Sequence, residues 1–192
     1  MGEYLWIFIS ALLINNFTLA NFLGICPFLG VSNKIETAFR MGLANIFVML
    51  ITAICAWALN TYVLVYAPYL RLISFIVVIA STVQFLEMVI KKLSPELFRA
   101  LGIYLPLITT NCAILGIALF QTSKEYGLVQ ALFYALGGGG GMTLALVIMA
   151  GIREETRIMD IPKTLQGTAL SLIIAGILSM AFMGFAGLFS SN

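Results

Sequence analysis

Cys26, Cys55 and Cys112 are the three thiols of a 192-residue chain that contains no histidine. Two of them share a pattern. Cys26-Pro27-Phe28-Leu29-Gly30 and Cys112-Ala113-Ile114-Leu115-Gly116 both read C-x-x-L-G, 86 residues apart. Such a pair can close a disulfide or present two thiolates to a metal, since the thiolate is the binding form. Without histidine the chain lacks the usual general base, the Ser-His triad and the makings of most zinc sites, so hydrolytic chemistry fits poorly. An iron–sulfur centre takes four protein ligands, usually all cysteine. A chain with one matched pair must then borrow the other pair from a second chain, either another copy of itself or a sister subunit with the same motifs. Cys55, in Ile54-Cys55-Ala56 and without a counterpart, reads as a small buried hydrophobe.

Both motifs lie where a helix is expected to break. Gly24 precedes Cys26 and Pro27 follows it, and a residue before proline is biased away from helical geometry. Pro106 and the polar run Thr109-Thr110-Asn111 precede Cys112. A disulfide needs no such breaks. Irregular backbone beside a cluster, by contrast, can aim N–H groups at its sulfurs and tune its potential.

The elements that position these residues are set by the composition: 61% of residues are hydrophobic, 9% are charged and the mean hydropathy is +1.07. Soluble domains carry about a quarter charged residues, so the bilayer is the expected solvent. A net charge of only +2 and the lack of a basic stripe leave no footprint for nucleic acid. The uncharged runs are 4–33, 41–70, 72–86, 100–123, 126–152 and 164–192. Five are long enough for a span of about 20 residues. The third becomes long enough if it continues past Glu87 to Ile90. Continuous apolar character favours helices over strands of a barrel. The expected fold is therefore an all-α integral membrane protein of six transmembrane helices, one membrane domain over 1–192. The first run begins beside Glu3 rather than a basic segment and is too long for a cleavable signal, so it is expected to remain as a span.

Basic residues fall eight to two in favour of the first, third and fifth connections. By the positive-inside rule both termini face outward. The cysteine motifs sit in the first and fourth spans, the first of each group of three. Three spans per half is an odd number, so the halves, roughly 1–96 and 97–192, must insert in opposite senses. This is the inverted-repeat plan, with the first helix of each repeat interrupted near a cysteine.

Other polar residues within the spans are candidates of a second rank. Glu87 is an acid inside a span, which marks it for an ion pathway. Its spacing to Lys91, i to i+4, also suits a plain surface ion pair. Asn15, Asn16 and Asn21 read as interhelical hydrogen-bonding groups, whereas Asn111, next to Cys112, is expected to orient the site. The run Gly137 to Gly141 has no phosphate-loop lysine after it and reads as a packing surface.

Several stretches carry a resemblance to a known family: Asn15-Asn16-Phe17, Phe22-Leu23-Gly24-Ile25-Cys26-Pro27-Phe28, Gln84-Phe85-Leu86-Glu87-Met88, Leu101 through Ala113, Gly151-Ile152-Arg153-Glu154 and Ala181 through Phe185. They closely resemble the Rnf and Nqr membrane oxidoreductase subunits, from end to end. Cys-Pro-Phe-Leu-Gly and Ile54-Cys55-Ala56-Trp57 are more similar to the A-type subunits of Rnf complexes than to the E-type subunits of Nqr, the sodium-pumping quinone reductase. The resemblance implies a six-span component of a complex in the bacterial or archaeal cytoplasmic membrane. That complex passes electrons between ferredoxin or flavodoxin and NAD while moving Na⁺ or H⁺. It further implies that Cys26 and Cys112 hold an intramembrane [2Fe–2S] cluster jointly with two cysteines of the homologous E-type subunit of the same complex. Other partners would carry FMN and further iron–sulfur clusters, and the chain would not catalyse NAD reduction by itself. The residue corresponding to Glu87 is associated with sodium uptake in the Nqr relative. Three other readings compete: an inverted-repeat secondary transporter with structural cysteines, the equivalent subunit of a sodium-pumping NADH:quinone reductase, and a scaffold for neighbouring redox subunits.

Overall fold

A computed structural model describes residues 2–14, 16–62, 68–93, 105–159 and 167–189. All regular structure among them is helical: α1 (Gly2–Ile9), α2 (Ile25–Val31), α3 (Ile35–Tyr62), α4 (Arg71–Leu93), α5 (Leu105–Thr109), α6 (Cys112–Ser123), α7 (Leu128–Thr156) and α8 (Thr168–Phe189). A π-helical turn, Ser10–Ile14, extends α1, and a short 3₁₀ turn, Pro68–Leu70, leads into α4.

Two helices, α3 and α7, are long and apolar enough to cross a membrane. The segments Gly2–Ile14, Arg71–Phe85, Leu107–Ser123 and Thr168–Gly184 are shorter apolar helices. The helix α4 continues through Glu87 to Leu93, in line with the expected extension of the third run.

In lipid there is no hydrophobic drive between helices, so close packing and hydrogen bonds must hold them together. The sequence supplies this through α7. A Cβ on Gly137 would lie 2.6 Å from the Phe8 carbonyl oxygen, and one on Gly141 would lie 2.6 Å from that of Leu12. These two glycines are one helical turn apart and let α7 rest directly on the backbone of α1 and its π turn. Gly139 lies against Ile46 of α3, where a Cβ would come within 2.9 Å of its side chain. The glycine run is thus a packing surface, as its lack of phosphate-loop chemistry implies. Around it, Phe17, Met49, Ile114, Ile117, Met142 and Leu146 are fully buried.

Candidate functional site

The first break begins where the π turn ends. Asn16, wholly buried, accepts hydrogen bonds through Oδ1 from the N–H groups of Thr18 and Leu19, at 3.1 and 3.4 Å. Its Nδ2 donates to the Gly141 carbonyl at 2.8 Å, which fastens the break to α7. Backbone bonds from Ala20 to Asn16 and from Leu23 to Phe17, both 2.8 Å, fold the segment into turns. On α8, the Ser179 hydroxyl donates to the Leu19 carbonyl at 2.6 Å. Gly24 then adopts φ 83°, a left-handed conformation open to glycine at little cost, and α2 starts at Ile25. Pro27 falls in the first turn of α2, where a proline removes no intrahelical hydrogen bond.

The second break is shorter. Asn111 is the N-cap of α6: its Oδ1 accepts from the Ala113 N–H at 3.1 Å, and its extended backbone (φ −75°, ψ 112°) turns the chain between α5 and α6. The Asn111 side chain is buried, and its Nδ2 donates to Asn45 Oδ1 at 3.4 Å and to the Met142 sulfur at 3.8 Å. Asn45 also donates to that sulfur, at 3.7 Å. One polar cluster therefore joins α3, α6 and α7 beneath Cys112.

The two breaks meet. The Gly24 N–H donates to Cys112 Sγ at 2.9 Å, a contact between residues 88 positions apart. A Cβ on Gly24 would lie 3.0 Å from Met142 Cε and 3.2 Å from both Ala113 Cβ and Asn111 Oδ1, so the tight fit also calls for glycine. Cys26 is two peptide steps further on, so its Cα lies at most about 7.6 Å from that of Gly24. Its position could not follow from the rise of an unbroken helix from Tyr4, which would carry it far along the span. The turns of 16–24 replace that rise and return the chain to Cys112.

Both cysteines occupy the first turn of a helix, Cys26 in α2 and Cys112 in α6. Cys26 is exposed and Cys112 half-exposed, so both can reach the surface of the chain, where a second protein can meet them. Among the described residues no group of three or more His, Cys, Asp or Glu side chains could hold a metal. The donor set and the N–H bond to sulfur suit an iron–sulfur centre completed from outside the chain.

Cys55 lies apart from this site, half-buried on α3. Asn21 is exposed in the first break. The backbone of Glu87 belongs to α4, but its side chain, like Asn15 as a whole, lies outside the described residues. Asn45 and Met142 are additions that the motifs did not indicate. A buried asparagine in the long apolar helix α3 is the signal that points to Asn45.

Two interrupted helices that meet at Gly24 and Cys112 within an apolar, all-helical chain define a helical membrane protein. The chain belongs to the Rnf-Nqr family of membrane protein subunits, which it matches over residues 4–189. It is 53% identical over 190 residues to the A-type subunit of the ion-translocating oxidoreductase complex of Syntrophotalea carbinolica, with 98% of each chain covered. The proteins of the same name from Serratia proteamaculans and Shigella flexneri serotype 5b are each 50% identical, again with 98% of both chains covered.

Proposed function

We propose that this chain is a membrane electron-transfer component of an Rnf-type, ion-translocating ferredoxin:NAD oxidoreductase. Cys26 and Cys112 supply two of the four ligands of a [2Fe–2S] cluster, and the homologous six-helix E-type subunit supplies the others. The observation that carries this reading is the hydrogen bond from Gly24 to the Cys112 sulfur, which ties the turn leading into the first C-x-x-L-G motif to the cysteine that opens the second. The name shared by relatives at about half identity, that of a component of an ion-translocating oxidoreductase complex, supports it.

In this reading the chain spans the cytoplasmic membrane six times as two inverted halves, with both termini outside. The two interrupted helices support that plan, because a break comes just before each cysteine. The cluster, when bound, supplies one-electron chemistry within the bilayer. The chain's own residues present two sulfurs in the first turns of α2 and α6, and the Gly24 amide donates to one of them. Such a bond stabilises the more negative, reduced state and raises the reduction potential. Asn111 holds the first turn of α6 in place, and Asn16 holds the opposing break. Partners with FMN and further iron–sulfur clusters complete the electron path, which is coupled to transport of Na⁺ or H⁺.

EPR spectra and iron analysis of the purified complex test the ligand assignment. Cys26→Ser and Cys112→Ser should each remove the [2Fe–2S] signal and lower the iron content by about two atoms per complex. If both variants keep every iron–sulfur signal and full electron flux, the assignment is wrong. Glu87 is the proposed intramembrane station on the ion path. Glu87→Gln should cut ion uptake by vesicles while leaving the cluster signal in place, and unchanged uptake removes Glu87 from that path.

A further inference from the structure

A cavity of about 470 Å³ opens between the ends of α2 and α7 and the start of α8. Asn33, Arg153, Arg157 and Ser171 line its polar part, while Leu170 and Ile174 line its apolar part. The Arg153 guanidinium is held in place by neutral oxygens. Its Nε and Nη2 donate to Ser171 Oγ at 3.0 and 2.5 Å, and its Nη1 donates to the Leu29 carbonyl at 2.8 Å and to Asn33 Oδ1 at 3.4 Å. Ser171 in turn donates to the Gly167 carbonyl at 2.9 Å.

None of these partners carries charge. Among the described residues the ion pair is Arg40 with Glu36, on the first turns of α3 just after Asn33, and neither Arg153 nor Arg157 pairs with a described carboxylate. The two arginines are spaced i to i+4, so they repel one another. The first turn of α8, a helix of 22 residues, adds its positive end at the same cavity. Basic residues suit the C-terminus of α7, but that role does not account for a cavity that also gathers a second helix N-terminus. Glu154 and Glu155 follow Arg153 on α7 but do not line the cavity, whose described wall carries two guanidinium groups and no carboxylate, which suits an anion. Leu170 and Ile174, one turn apart on α8, continue the wall along an apolar helix. A ligand that fits both parts is anionic at one end and hydrocarbon at the other.

We propose that this cavity binds the phosphate headgroup of an anionic phospholipid, with Arg153 and Arg157 neutralising the phosphate and Leu170 and Ile174 flanking an acyl chain. Basic pockets between membrane helices take such headgroups by charge and shape. The site is separate from the cysteines, although Arg153 touches both the lipid site and the Leu29 carbonyl of α2, the helix that carries Cys26.

The test uses the whole complex in phosphatidylcholine nanodiscs containing a photoactivatable phosphatidylglycerol, with labelled peptides mapped by mass spectrometry. Label should fall on peptides carrying residues 153–159 or 167–174 of the wild type and drop roughly five-fold or more in Arg157→Gln, the effect of losing one basic contact to an anionic lipid. Arg157 is exposed and, among the described residues, its side chain makes no hydrogen bond or ion pair, so this variant tests the site even if Arg153→Gln fails to assemble. Equal labelling in wild type and Arg157→Gln overturns the proposal. So does equal labelling by a photoactivatable phosphatidylcholine, which marks ordinary annular lipid, or displacement by inorganic phosphate, which marks a free-phosphate site. Absence of label with cross-links from this face to a neighbouring protein of the complex overturns it in favour of a protein contact. The readout does not involve iron, so it stands or falls apart from the cluster assignment.

Discussion

The Asn111 side chain does two jobs at once. Its Oδ1 caps α6 at the Ala113 N–H, and its Nδ2 reaches Asn45 and Met142 on neighbouring helices. Asn111→Ala removes both. Loss of a cap costs about 1 kcal/mol, and here it loosens the turn that presents Cys112. The variant should lower the melting temperature of the purified complex and its iron content together, whereas Asn111→Ser, which keeps a capping oxygen, should recover most of both. An unchanged melting temperature and iron content in Asn111→Ala would show that the cap does not hold the site. The adjacency of Asn111 to Cys112 is legible in the sequence, as is the break after Pro106 and Thr109-Thr110. The contribution of Asn45 is not. It is 66 residues from Asn111, and its partner is set by the crossing of α3 and α6 rather than by any local pattern.

At the level of elements, α7 determines how near the first break comes to the second. Its glycines at 137 and 141 face the backbone of α1 and the π turn, with the Asn16 side chain bonded to the Gly141 carbonyl. Gly141→Val puts a branched side chain where the Leu12 carbonyl oxygen now lies. Overpacking of this kind costs about 1–3 kcal/mol, and the backbone contact cannot be relieved by a rotamer change. The variant should lower the thermal stability of the complex, measured by loss of soluble assembly on heating, while Gly151→Ala, which meets nothing within 4 Å, should not. Equal stability of the two would contradict the packing role. Gly24 and Pro27 make the first interruption legible, since each disfavours an unbroken helix through Cys26. The length of the interruption is not legible. It depends on Asn16 capping its own turn and on α7 and α8 supplying donors and acceptors from 125 and 160 residues away.

For the molecule as a whole, the apolar composition and the spacing of charges make an all-helical membrane protein legible, and family membership follows from the matched motifs over nearly the full chain. Two long helices, α3 and α7, form a frame against which the interrupted segments pack. The proposed sharing of the site also accounts for cysteines that lie at the surface of the chain rather than in its core, because a centre completed by a second protein must remain open to it. On that proposal the ligand count is a property of the assembly, since two thiols are half of what a [2Fe–2S] cluster takes. A density map of the assembled complex, at a resolution that separates individual sulfur atoms, tests this most directly. It should show Cys26 Sγ and Cys112 Sγ bonded to one iron–sulfur cluster whose remaining two ligands come from a neighbouring chain. A map in which either sulfur lies away from iron, surrounded by hydrocarbon or joined to its fellow in a disulfide, would contradict it.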